Sequence, residues 1–168
     1  MSNGVWRAAF WIFALFLAQN ALQYLLADLA PPLVLPAVLF YALSRGASFG
    51  LGTGVFAGLL FEVFGVGKLG VHVGLFALIG YTAGALSSKI FRESFVAQII
   101  LPVLCHYAAA AAGLTLARVS AGEPVGVFAL AEAFLPVQLA ITAAASPPVF
   151  AFLKRVSRMR EARPAVWR

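Results

Sequence analysis

The stretch GLGTGVFAGLLFEVFGVGKLGVHVGLFALIGYTAGAL, residues 50–86, contains the pattern that decides the fold. It holds two apolar runs joined by a short segment, and glycines recur in both runs. Gly50, Gly54 and Gly58 are four residues apart, so neighbouring glycines lie on one face of a helix. Small residues let apolar helices approach each other closely inside a membrane. The stretch therefore predicts a tight hairpin of two transmembrane helices.

The second run is predicted to present a matching face of small residues to the first. Ala77 and Tyr81 fall on this face together with three glycines of the run. The glycines assigned to helix packing in the two runs are Gly50, Gly54, Gly58, Gly70, Gly74 and Gly84.

The composition of the whole chain agrees with a membrane protein. Of its 168 residues, 62% are hydrophobic and 11% are charged, and the mean hydropathy is +0.95. A soluble domain carries about 25% charged residues. A spanning helix needs roughly 20 apolar residues, so the chain holds about six spans with short loops. The predicted spans are 8–27, 32–43, 48–64, 69–87, 95–117 and 127–153.

The predicted fold class is therefore an all-α, polytopic membrane bundle of about six transmembrane helices. Residues 1–153 form this domain, and residues 154–168 form a basic cytoplasmic tail. The second span is short and rich in proline, which predicts a tilted, irregular or internally packed segment. Pro136 and the pair Pro147–Pro148 predict a kink in the sixth span.

The net charge of +6 does not indicate nucleic acid, because six of the twelve Lys and Arg residues lie at or after Lys154. With six spans and the N-terminus inside, ten of the twelve cations fall on the cytoplasmic side, and only Lys68 and Arg118 fall outside. This bias predicts that both termini are cytoplasmic. The tail is then expected to lie near anionic lipid headgroups.

Ionisable and amide side chains inside spans are candidates for binding a ligand or partner, because they are costly in lipid. Glu62 is the first candidate, with pairing to Lys68 or to neighbouring backbone as the alternative. The other candidates are His72, Gln19 and Gln23, with hydrogen-bonded helix packing as the alternative. Glu132 is a further candidate, with the alternative that it lies near the start of the sixth span and reaches water.

No catalytic, metal or cofactor site is predicted. The chain has no nucleotide-binding loop, no dinucleotide fingerprint and no recognisable nucleophile motif. The lone Cys105 allows no internal disulfide or cysteine-based metal cluster. The sequence thus favours a non-enzymatic component.

Four segments between residues 42 and 84 resemble the rod shape-determining protein MreD family. That family has a proline-led span that ends in a Leu-x-Arg-Gly-like turn, then a glycine-rich span ending Gly-Leu-Leu-x-Asp, then Leu-Gly and a second glycine-bearing span. The matching segments here are ALSRG (42–46), GLLFE (58–62), LG (69–70) and GYTAG (80–84). Glu62 replaces the usual aspartate, and the acidic residue often found beside the proline of the second span is absent.

The resemblance implies a multi-pass component of the bacterial inner membrane that belongs to the elongation complex. This complex supports cell shape and lateral peptidoglycan synthesis. Such a component binds the bitopic protein MreC and through it MreB filaments and peptidoglycan synthases. The family is also similar in fold to the substrate-binding S components of energy-coupling factor (ECF) vitamin transporters. An S component, with the amides of the first span facing a ligand cavity, is therefore the alternative function.

Overall fold

A computed structural model describes residues 2–26, 29–64, 70–88, 94, 96–122 and 136–161. These residues form six α-helices and no strand, which confirms the all-α membrane bundle. The helices are α1 (Ser2–Leu26), α2 (Val34–Arg45), α3 (Ala47–Phe64), α4 (Val71–Ala85), α5 (Leu101–Ala121) and α6 (Pro136–Glu161). A 3-10 turn, Leu86–Ser88, follows α4, and a π-helical turn, Val96–Ile100, precedes α5.

Four helices are long and apolar enough to cross a membrane. They contain the segments Gly4–Leu26, Ala47–Phe64, Gln98–Leu116 and Val137–Ser157. The other two, α2 with 12 residues and α4 with 15, are shorter. At 1.5 Å per residue they extend about 18 Å and about 23 Å, less than the roughly 30 Å of a hydrocarbon core.

The ends of the first and last helices differ from the predicted spans. Helix α1 already begins at Ser2, and α6 continues through Pro147 and Pro148 to Glu161. The first part of the predicted tail is therefore helical. The predicted start of the last span, at residue 127, lies outside the described residues.

Helix α2 is the centre of the bundle. Every residue from Val34 to Leu43 is buried, and all five other helices contact α2. Pro36 is tolerated because the N–H groups of a first helical turn have no partner within the helix. Of the three possibilities predicted for this short segment, the structure shows the internally packed one.

The most extensive contact between helices joins α3 and α4, which run antiparallel. A Cβ added at Gly50 would overlap the carbonyl oxygen of Gly80, and one added at Gly54 would overlap that of Phe76. A Cβ at Gly58 would overlap the backbone of Val73 in the same way. The two backbones thus touch along most of α3 and α4. The connection at 65–69 lies outside the described residues.

The glycines of α4 contribute unequally to this contact. Gly80 and Gly84 face α3, and a Cβ at Gly84 would come within 2.6 Å of Ala47. Gly74 is exposed, and nothing lies within 4 Å of a Cβ added there or at Gly70. The face of α4 that meets α3 is therefore rotated from the predicted one, and it includes Gly80, which the prediction omitted.

Replacing Gly54 by alanine tests the backbone contact. Gly54→Ala is expected to lower the free energy of unfolding by about 1–3 kcal/mol, because the new methyl group meets backbone that cannot turn aside. Gly52 lies in the same helix, is exposed and has nothing within 4 Å of an added Cβ. Gly52→Ala should leave stability unchanged or raise it by up to about 1 kcal/mol. Equal melting temperatures of the two variants in detergent would contradict the contact.

Candidate functional site

Gln19 of α1 caps the start of the central helix. Its side-chain oxygen Oε1 accepts hydrogen bonds from the backbone N–H groups of Leu33, at 2.8 Å, and Val34, at 3.1 Å. The first N–H groups of a helix have no partner within the helix, and inside a membrane they find no water. Gln19 therefore caps the N-terminus of α2 and satisfies two N–H groups there.

Glu62 of α3 has the same role at the start of α4. Its Oε1 accepts a hydrogen bond from the N–H of Val73 at 3.1 Å, and the N–H groups of Gly70 and His72 also bond to the carboxylate. The side chain is only 8% exposed. A carboxylate at a helix N-terminus is further favoured by the helix dipole. This geometry corresponds to the second alternative for Glu62, in which the carboxylate pairs with neighbouring backbone.

A cavity of about 200 Å³ lies at the same end of the bundle, lined by residues of helices α1 to α5 and of the segment before α2. We call it the histidine cavity. Two of the predicted binding residues, Gln19 and His72, line it, and His106 of α5 joins them. Its complete lining is Gln19, Pro32, Leu35, Phe61, His72, Leu75, Phe76, His106, Ala109, Ala110 and Gly113.

The two histidines of the cavity differ in their hydrogen bonding. His106 bonds to the side chain of Gln138 on α6. The buried Nδ1 of His72 has no hydrogen-bond partner, and its ring stacks on Phe61 at 6.0 Å between centroids. A buried polar atom without a partner is costly, so an ordered water or a small polar ligand in the cavity would stabilise it.

Two other predicted binding residues, Glu62 and Gln23, do not line the cavity. Gln23 is exposed on α1, and Glu132 lies outside the described residues. No three His, Cys, Asp or Glu side chains come together as a metal site within the described ranges. His106 is not among the binding residues predicted from the sequence, because only the fold brings α5 beside α4 and the cavity.

Comparison with known proteins identifies the family. The model of the rod shape-determining protein MreD family matches residues 2–156, which include all six helices almost entirely. No curated protein and no solved structure matches the chain.

The cap on α2 can be tested with two glutamines of one helix. Gln19→Leu is expected to lower the free energy of unfolding by roughly 1–3 kcal/mol, because two buried N–H groups lose their acceptor. Hydrogen exchange at residues 33–35 should accelerate as well. Gln23→Leu is the matched control, since Gln23 is exposed on the same helix, and it should change neither quantity. A similar effect of both variants would rule out the cap.

The cap on α4 can be tested by two substitutions of one residue. Glu62→Gln keeps an oxygen acceptor, so the start of α4 should stay protected from hydrogen exchange. Glu62→Leu removes every acceptor and should accelerate exchange of the amides of His72 and Val73. Unchanged protection in Glu62→Leu would show that α4 does not depend on this carboxylate.

Proposed function

Because the chain belongs to the rod shape-determining protein MreD family, we propose that it binds MreC within the bacterial elongation complex and supports lateral peptidoglycan synthesis. The family places the chain among integral membrane components of the rod-shape system. In the proposal, MreC connects it to MreB filaments and to the synthases. The match over residues 2–156 is the observation that carries the proposal.

The distribution of polar groups supports a non-enzymatic role. Two of the predicted binding side chains, Gln19 and Glu62, hold helix ends by hydrogen bonds to backbone. The outer surface is apolar instead: Trp6 is 75% exposed and Tyr24 93% exposed on α1. Such a surface suits lipid and the transmembrane helix of a bitopic partner.

The outer face of α4 is the contact that we propose for the helix of MreC. Gly70 and Gly74 form a Gly-x-x-x-Gly pair that is exposed and has nothing within 4 Å of an added Cβ. Leu78, on the same side, is 60% exposed. A second helix can approach such a face closely. Gly52 on α3 has exposed Ser48, and not a second glycine, four residues before it, so it is a weaker candidate.

We also propose an inner-membrane location with both termini in the cytoplasm. The start of α1, near Arg7, and the end of α6, near Lys154, lie at one end of the bundle, since Arg7 donates a hydrogen bond to the backbone of Val156. The excess of Lys and Arg at this end favours the cytoplasmic side.

The histidine cavity is the observation that favours the second candidate, an S component of an ECF-type transporter. The volume of the cavity argues against an S component, because about 200 Å³ is below the roughly 300–1,000 Å³ typical of ligand pockets. Gln19 lines the cavity, but its oxygen already accepts two hydrogen bonds. The cavity fits water or a very small polar solute better than a vitamin.

Affinity capture of the tagged full chain from native bacterial membranes in mild detergent tests the function. Mass spectrometry is expected to recover MreC together with wall-synthesis enzymes. Recovery of a transmembrane coupling subunit with two ATPases would instead establish the transporter component.

The proposed contact on α4 is tested in the same capture. Gly74→Leu should lower the recovery of MreC severalfold, because the side chain keeps the partner helix at a distance. Gly52→Leu is the matched control, an exposed helical glycine on α3, and should leave recovery unchanged. Equal recovery with both variants would exclude this face of α4.

A further inference from the structure

A second cavity, of about 310 Å³, lies at the opposite end of the bundle from the histidine cavity. It is formed where α1 begins, α2 ends and α6 nears its end. We call it the arginine pocket, because Arg7 and Arg45 both line it. Its complete lining is Gly4, Arg7, Trp11, Tyr41, Arg45, Val156 and Ser157.

The two guanidinium groups are held toward the pocket by neighbouring groups. Arg7 donates a hydrogen bond from Nη2 to the carbonyl oxygen of Val156 at 3.3 Å. Arg45 lies over the ring of Phe49, 4.6 Å from its centroid. A Cβ added at Gly4 would overlap Nη1 of Arg45, so the glycine leaves room for this side chain. Each guanidinium has five N–H donors, and these contacts engage only part of them.

No carboxylate neutralises the pair within the part of the chain whose side chains are described. Glu62 is the only acidic side chain there, and it caps α4 near the other end of α3. Fifteen residues of helix separate Ala47 from Glu62, which is about 22 Å. Arg7 is half-buried and Arg45 is exposed, and both line the same pocket. Two like charges brought close together repel each other, so the pocket is suited to an anion.

The surroundings of the pocket indicate where the anion comes from. Gly4 and Ser157 lie at the limits of two apolar spanning segments, Gly4–Leu26 and Val137–Ser157, so the pocket lies at the level where hydrocarbon meets headgroups. Trp11 and Tyr41 line it, and these residue types are enriched at that level. Basic pockets between transmembrane helices bind the headgroups of anionic lipids.

We propose that the arginine pocket binds the phosphate of one anionic phospholipid headgroup, with Arg7 and Arg45 as its ligands. The planar fork of a guanidinium matches phosphate oxygens in a bidentate arrangement. This site is distinct from the diffuse attraction of the basic tail, since it has two fixed donors and a defined volume. The proposal does not depend on a partner protein.

Native mass spectrometry of the full chain in detergent, titrated with phosphatidylglycerol, tests the site. One lipid should remain bound to the wild type, and phosphatidylcholine should bind far more weakly. Arg7→Gln and Arg45→Gln should each lower the affinity for phosphatidylglycerol about tenfold, which is the weight of a hydrogen bond to a charged group. Arg155→Gln removes the same charge from an exposed position beside the pocket and should change nothing.

Two further measurements distinguish a lipid site from a folding defect and from a site for free phosphate. If a glutamine variant does not fold, Arg45→Lys keeps the charge without the fork and should still weaken retention. Inorganic phosphate at millimolar concentration should not displace the lipid. Displacement by phosphate, equal binding of phosphatidylcholine, or an equal loss with Arg155→Gln would overturn the lipid site.

Discussion

Hydrogen-bond satisfaction at the starts of two short helices is the constraint on which the rest of the structure depends. Helix α2 begins inside the bundle, and α4 begins beside the buried carboxylate of Glu62. The first N–H groups of each helix have no partner within that helix. Gln19 and Glu62, each on the long helix that precedes the short one in the chain, supply the acceptors. In both α1–α2 and α3–α4, a side chain of the long helix thus caps the N-terminus of the short helix that follows it.

These side-chain caps explain why a short helix can occupy the interior of a membrane protein. Helix α2 is too short to cross the hydrocarbon core alone, yet it is buried along almost its entire length. Its polar end is closed by Gln19, and its other end carries Arg45. The backbone contact between α3 and α4 then places His72 next to the core, which creates the histidine cavity.

The two ends of the bundle have opposite chemical character. One end holds neutral and acidic groups, the caps Gln19 and Glu62 with two histidines, and its cavity has room for water. The other end holds two arginines in a larger pocket beside interfacial aromatic residues. In the proposed function and lipid site, the arginine end binds lipid at one membrane face and the apolar sides contact partner helices.

Composition, hydropathy and glycine spacing determined by themselves that the chain is a helical membrane bundle with a close α3–α4 pair, because these properties follow from local chemistry. The segments ALSRG and GLLFE also carried the resemblance to the family. The rotation of α4, which places Gly80 in the contact and leaves Gly74 outside, was decided by tertiary structure. Spacing alone cannot set the phase of one helix against another.

The roles of the polar side chains were likewise decided by the fold. The sequence indicated that Gln19, Glu62 and His72 are unfavourable in lipid. That inference needs only the free energy of placing each side chain in a membrane, so it can be made for each residue separately. Which backbone group or cavity each one meets depends on neighbours distant in the chain. Arg7 and Arg45 show this most clearly, because they are 38 residues apart in sequence. From the sequence they are topology signals, and Arg45 also belongs to the ALSRG segment, but the ends of α1, α2 and α6 bring them into one pocket.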